Sequence, residues 1–167
     1  MAAYRRAYSP ADIAANKAKV VLSGVGVGQA LYDAANNNDV ATLQRLGNEW
    51  FANDVLNWPN PSNDGCTPLN QAAYKGHVEC IIVLAALPGI DINKGDNDGW
   101  LSLHWAAGHG HVECVRLLLD HPDIQVNKVI TSGGYKGQTP LSVVGWWGGT
   151  EADKTTIRDM LRAKGGR

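Results

Sequence analysis

The sequence has almost no excess of either charge: 15 Lys and Arg stand against 16 Asp and Glu, for a formal net charge of −1 over 167 residues. That balance argues against a nucleic-acid binder, whose affinity rests on many cations neutralising phosphates. No apolar run approaches the ~20 residues needed to cross a bilayer, so a soluble protein is expected. Cysteine is scarce and odd in number. Cys66, Cys80 and Cys114 form no disulfide framework and read as reduced intracellular thiols acting as small hydrophobes. A secretory leader with an apolar centre is also missing. The opening MAAYRRAYSPADIAANKAKVV is alanine-rich, basic and poor in acids, which leaves organelle import open beside the expected cytoplasmic location. Residues 1–28 hold Arg5, Arg6, Lys17 and Lys19 against Asp12, a surplus of +3 that leaves the remainder at −4.

What is present is repetition. Asp98 to Asn127 reads DGWLSLHWAAGHGHVECVRLLLDHPDIQVN, and 34 residues upstream Asp64 to Asn93 reads DGCTPLNQAAYKGHVECIIVLAALPGIDIN. The two share Gly65 with Gly99, Leu69 with Leu103, Ala72-Ala73 with Ala106-Ala107, and the block Gly76 to Cys80 with Gly110 to Cys114. Weaker copies flank them: Leu31, Leu69, Leu103 and Leu141 fall at intervals of 38, 34 and 38. A period in this range marks stacked units, none of which buries its own apolar face.

These residues resemble the ankyrin-repeat family, whose unit carries G-x-T-P-L-H-x-A-A-x-x-G-H, a second helix and a loop ending near V-N. The resemblance covers roughly residues 31–161. It departs where Leu101-Ser102 replaces Thr-Pro, where Asn70 stands for the histidine, and where extra residues separate Gly148 from Ile157. It implies an all-α solenoid with β-hairpin-like loops, here with an added N-terminal helix. The expected division is a basic segment with a capping helix over 1–28, then a repeat domain over 29–167 with units at about 29–61, 62–95, 96–134 and 135–167.

Ser9-Pro10-Ala11-Asp12 reads as a helix start, with the helix running to about Leu22. Gly24, Gly26 and Gly28 then predict a short extended link; no βαβ context makes them a phosphate loop. Gly76, Gly110 and Gly148 read as left-handed residues closing each first helix. Second helices are expected over Val78 to Ala86 and Val112 to Leu119, and a last helix over about Glu151 to Lys164, with Lys154, Arg158, Arg162 and Lys164 toward water. Residues 129–136 lengthen one hairpin tip.

Candidate chemistry is thin. His77 with Cys80 and His111 with Cys114 offer donors of the kind zinc uses, but the histidine belongs to the family's turn and the cysteine to a core position. Ser102 and His104 likewise read as structural, His104 bonding across the turns, and no nucleophile, base and orienter converge. No metal, cofactor or catalytic role is assigned, and the protein is expected not to be an enzyme.

Six tryptophans against one phenylalanine point elsewhere, because tryptophan is enriched where proteins meet partners. The resemblance puts partner contacts at hairpin tips and at the residues before each turn glycine. The candidates are Tyr74, Lys75, Trp100, His109, Gln138, Trp146 and Trp147, with the aromatic ones forming a strip on a concave face. Trp105 is expected between units. Asn93 and Asn127 should bond within the hairpins and, by the same resemblance, are candidate hydroxylation positions. The expected function is a non-catalytic protein–protein interaction module, an adaptor or scaffold. The alternatives are a constitutive subunit of a larger assembly or a regulator of a partner enzyme.

Overall fold

A computed structural model describes residues 26–49 and 53–167. The expected helix from Pro10 to Leu22, the basic segment around it, Gly24, and Trp50 with Phe51 lie outside the described residues.

Helix α1 occupies 26–36 and α2 Val40–Glu49, followed by the short α3, Asn53–Leu56. Two eight-residue pairs come next: α4 (Pro68–Lys75) with α5 (Val78–Ala85), and α6 (Ser102–His109) with α7 (Val112–Leu119). Helix α8, Glu151–Ala163, ends the stack. Among the described residues there is no β-strand, only an isolated bridge between Asn60 and Cys66. Helix α4 packs on α6, α5 lies between α2 and α7, and α7 meets α8, a linear order.

Local chemistry sets the helix ends. In α4 the Thr67 hydroxyl accepts from the Asn70 amide at 3.2 Å, Pro68 occupies the first turn, and Gly76 at φ 75° returns its N–H to Ala72 and Ala73. Helix α6 lacks Thr-Pro, and His104 takes over: its Nδ1 accepts from the Leu101 amide at 3.1 Å. Gly110 at φ 78° then closes α6 as Gly76 closes α4. Eight residues are too few to hold a helix in water. Stability comes from burial of Leu31, Leu69 and Leu103, with Ala34-Ala35, Ala72-Ala73 and Ala106-Ala107 letting the first helices approach closely. Cys80, Ile81 and Leu84 of α5 continue through Cys114, Val115 and Leu118 of α7 to Ile157 and Leu161 of α8.

Three hydrogen-bond ladders repeat along the stack. Asn57 donates to Gly89 O at 2.9 Å and accepts from Asp91 N at 2.8 Å. Asn93 does the same with Asp123 O and Gln125 N, and Asn127 with Gly165 O and Arg167 N. At the tips, Asn97 N donates to Asp64 O and Thr131 N to Asp98 O, each at 2.8 Å. Behind the turns, His77 Nε2 donates to Asn36 O and His111 Nε2 to Tyr74 O.

Three expectations are corrected. Gly26 and Gly28 lie in helix α1, not in an extended link; Gly28 is buried where any Cβ would overlap the Trp58 indole, so its role is close packing. Gly148 is not left-handed. Gly145 and Gly149 are, at φ 73° and 84°, and Gly148 is small because a Cβ would stand 2.7 Å from His109 O. Residues 139–147 accordingly form turns in place of a first helix: the chain reverses at Gly145 and is tied to α6 through Gly145 N to Ala107 O and Trp147 N to Gly108 O, both 3.0 Å. Finally, Lys154 does not stand free in water; its stem covers Gly145, and its ammonium donates to Glu151 at 2.8 Å.

Candidate partner-recognition face

The turn at 139–147 and the hairpin tip at 129–138 converge on the end of α6, and aromatic rings from three units meet there. Trp100, 5% exposed, is the hub. It stacks on Trp105 at 4.9 Å, with Tyr135, Trp147 and Trp146 at 5.4, 5.3 and 6.5 Å. His109 lies 5.0 Å from Trp147 and 4.7 Å from Tyr74, which meets Trp105 edge-on at 5.5 Å. Edge-to-face and offset contacts at these separations are favourable beyond the area they bury.

Small residues make room for the rings. Gly108 sits inside α6 where a Cβ would be 2.6 Å from the Trp147 ring, so its absence lets the indole lie against the helix. The long tip closes by Ile130 N to Gln138 O and Gly137 N to Ile130 O, and its 3-10 turn, Gly133–Tyr135, brings Tyr135 back over Trp100 and Trp146.

Of the candidates read from sequence, Tyr74, Trp100, His109, Trp146 and Trp147 are brought together. Tyr74, Trp146 and Trp147 are 39, 41 and 44% exposed, and His109 is half-buried. Trp100 is corrected: it cannot face a partner, because its neighbours cover it. Lys75 holds its Nζ 5.5 Å from the Tyr74 ring centroid. Gln138 is half-buried at the hairpin base, where its carbonyl accepts from His104 Nε2 at 3.3 Å. Sequence reasoning missed Tyr135, 48% exposed. It lies in an insertion with no counterpart in the other units, so no register indicated its direction. Trp105 lies partly buried among these rings, and its Nε1 makes no hydrogen bond among the described residues.

The reactive side chains are otherwise occupied. Burial pushes the thiols of Cys66 and Cys114 up to about 12 and that of Cys80 to about 11, so none is a nucleophilic thiolate at neutral pH. Buried Ser102 donates to Asn70 Oδ1 at 2.6 Å. Desolvation lowers His104 to about 4 and keeps it neutral. Cys80 points at Asn38 while the neighbouring His77 reaches Asn36 O, and among the described residues no three His, Cys, Asp or Glu side chains are grouped to hold a metal. Both asparagine side chains proposed for hydroxylation are engaged in the inter-unit clamps, Asn93 buried and Asn127 half-exposed.

A family model for ankyrin repeats, in three copies, matches residues 31–130, more than half of the chain. The chain belongs to the ankyrin-repeat family. A search of the curated proteins finds no match. The matched ankyrin segment stops at Ile130, before the turns that replace the fourth first-helix, so the ring cluster straddles the boundary: Tyr74, Trp100, Trp105 and His109 lie inside it, and Tyr135, Trp146 and Trp147 beyond it. Ankyrin repeats in general are protein–protein interaction modules. No helix among the described residues is long and apolar enough to cross a membrane.

Proposed function

We propose that this chain is a non-catalytic recognition module, an adaptor or scaffold, whose partner-facing surface is the exposed rim of the ring cluster: Tyr74, Tyr135, Trp146 and Trp147, with Lys75 and His109 beside them. The observation that carries the reading is the exposure of four large rings in one connected group around a buried hub. Contiguous exposed aromatic surface of this kind costs solubility unless something covers it, and Trp and Tyr dominate binding hot spots. A stack clamped unit to unit presents the rings with little ordering cost on binding. The buried thiols, the tied Ser102 and the neutral His104 support the absence of catalysis.

The test is an affinity capture from native extract with the intact chain and with Trp146→Ala/Trp147→Ala, both checked for helical content. Each indole is expected to contribute about 2 kcal/mol if buried against a partner. A folded double variant that retains every partner of the intact chain refutes the assignment of this surface.

A further inference from the structure

The charges around the ring cluster narrow the chemistry of what it meets. Asp64 and Asp98 are exposed on successive hairpin tips, and Asp96 lies beneath them. The ion pairs of the described residues lie elsewhere, on α2, α7 and α8, so neither exposed tip carboxylate has a cation within 4.0 Å among those residues. Asp96 is turned inward, accepting from Trp100 N at 2.9 Å and Asp98 N at 3.1 Å. Asp98 is different: its Oδ1 accepts from Ser132 Oγ at 2.6 Å, and Oδ2 faces Gly133, at the start of the turn that carries Tyr135. Tyr135 and Trp146 meet at 5.3 Å and 48°, forming an open corner of two exposed rings; Tyr135 lies on the tip after that of Asp98, two residues beyond the Gly133 that this carboxylate faces. The face already attracts a cation, since Lys75 Nζ lies over Tyr74. Lys136 is the cation within the tip segment 129–138; Lys94 and Lys128 flank the tips, and Lys128 is turned to Asn93 O at 3.0 Å.

Resting on the recognition reading above, we propose that the corner of Tyr135 and Trp146 takes an arginine side chain of a partner polypeptide, with Asp98 as its counter-ion. A guanidinium is planar and weakly hydrated: it stacks on an aromatic face while its edge donates to a carboxylate. Lysine offers the charge without the plane. An apolar side chain would strip water from Asp98 and return nothing to it, and an acidic partner would meet the tip carboxylates.

The whole ¹⁵N-labelled chain is titrated with three blocked pentapeptides of the form Gly-Ser-X-Ser-Gly, where X is arginine, lysine or the neutral isostere citrulline, and the indole N–H resonances are followed. The arginine peptide is expected to shift the Trp146 resonance saturably, with affinity falling as salt is raised. Citrulline should bind roughly 5- to 30-fold more weakly, and Asp98→Asn should weaken arginine by several-fold while leaving citrulline unchanged. The amide spectrum of the variant checks its fold. Equal binding of arginine and citrulline, indifference to Asp98→Asn, or no arginine binding at all overturns the proposal. Each of these results leaves the recognition reading intact if Trp146→Ala/Trp147→Ala still loses a captured partner, and only retention of that partner overturns both.

Discussion

His104 should make this protein acid-labile in a window set by one buried ring. Its Nδ1 accepts from Leu101 N, and its Nε2 donates to Gln138 O on the next hairpin, so the neutral ring joins two units. Protonation would put a hydrogen on the accepting nitrogen and a charge where water does not reach; desolvation accordingly lowers the group from 6.5 to about 4. The sign follows from linkage. On acidification the unfolded chain takes up the proton first, so stability is complete above pH 6.5 and is lost as pH falls toward 4. A displacement of that size corresponds to about 3 kcal/mol. His109, also lowered by burial, acts in the same direction, whereas Asp96, raised by burial, opposes it. Urea unfolding followed by circular dichroism at pH 7, 5.5 and 4.5 measures the slope. His104→Asn imitates Asn70, which occupies this place in α4, donating to Trp100 O and accepting from Ser102 Oγ. The variant should be less stable at pH 7 but lose distinctly less than the parent on acidification. Parallel stability–pH curves for the two proteins would show that the ring is not the titrating group and refute the reasoning.

Gly108→Ala gains about 1 kcal/mol of helix propensity but drives a methyl into the Trp147 ring; the two effects nearly cancel, so thermal stability should hardly change while indole fluorescence and partner capture do. Asn93→Ala removes both clamp bonds at a buried site and should cost roughly 2–4 kcal/mol in urea unfolding, against about 1 or less for the more exposed Asn127→Ala. Gly76→Val demands φ 75° of a β-branched residue and would also push into the His111 ring; a loss of about 2 kcal/mol or more is expected from thermal melts. The three thiols, buried and pushed up to about 11 to 12, should resist iodoacetamide in the native protein and react together on unfolding, as read by mass spectrometry.

Legibility followed periodicity. Where two units align without a gap, the helices, the turn glycines Gly76 and Gly110 and the core cysteines all follow from one pattern, because stacked units repeat their burial; Asn93 and Asn127 repeat as well, but against expectation they bond to the following loop or tail and not within their own hairpins. The fourth unit broke the inference. Spacing placed Gly148 at the helix-closing position, but Gly145, three residues earlier, takes the left-handed turn first, and a run with three glycines between 145 and 149 has several places to reverse. The burial of Trp100 was hidden for a related reason. Its counterpart Cys66 is buried in the preceding unit, but a tryptophan at this place is covered by Trp105 together with the inserted Tyr135 and the displaced Trp146 and Trp147.

The irregular end and the aromatic face are one structural event. A full helix over 139–147 would carry Trp146 and Trp147 on its own last turn, as α4 carries Tyr74 and Lys75. The early reversal at Gly145 instead pairs Trp147 N with Gly108 O and lays the indole on α6, while Asn127 and Thr139 hold the last residues through Gly165 and Arg167. That tail accepts and donates at Asn127 as the loop residues 123 and 125 do at Asn93, so it completes the clamp ladder. Trp146 and Trp147 therefore sit on a segment with no regular helix of its own, fixed by α6 on one side and by the closing ladder on the other. Anchors held at both ends lose little freedom on binding, which supports the recognition surface proposed at the irregular end of the stack.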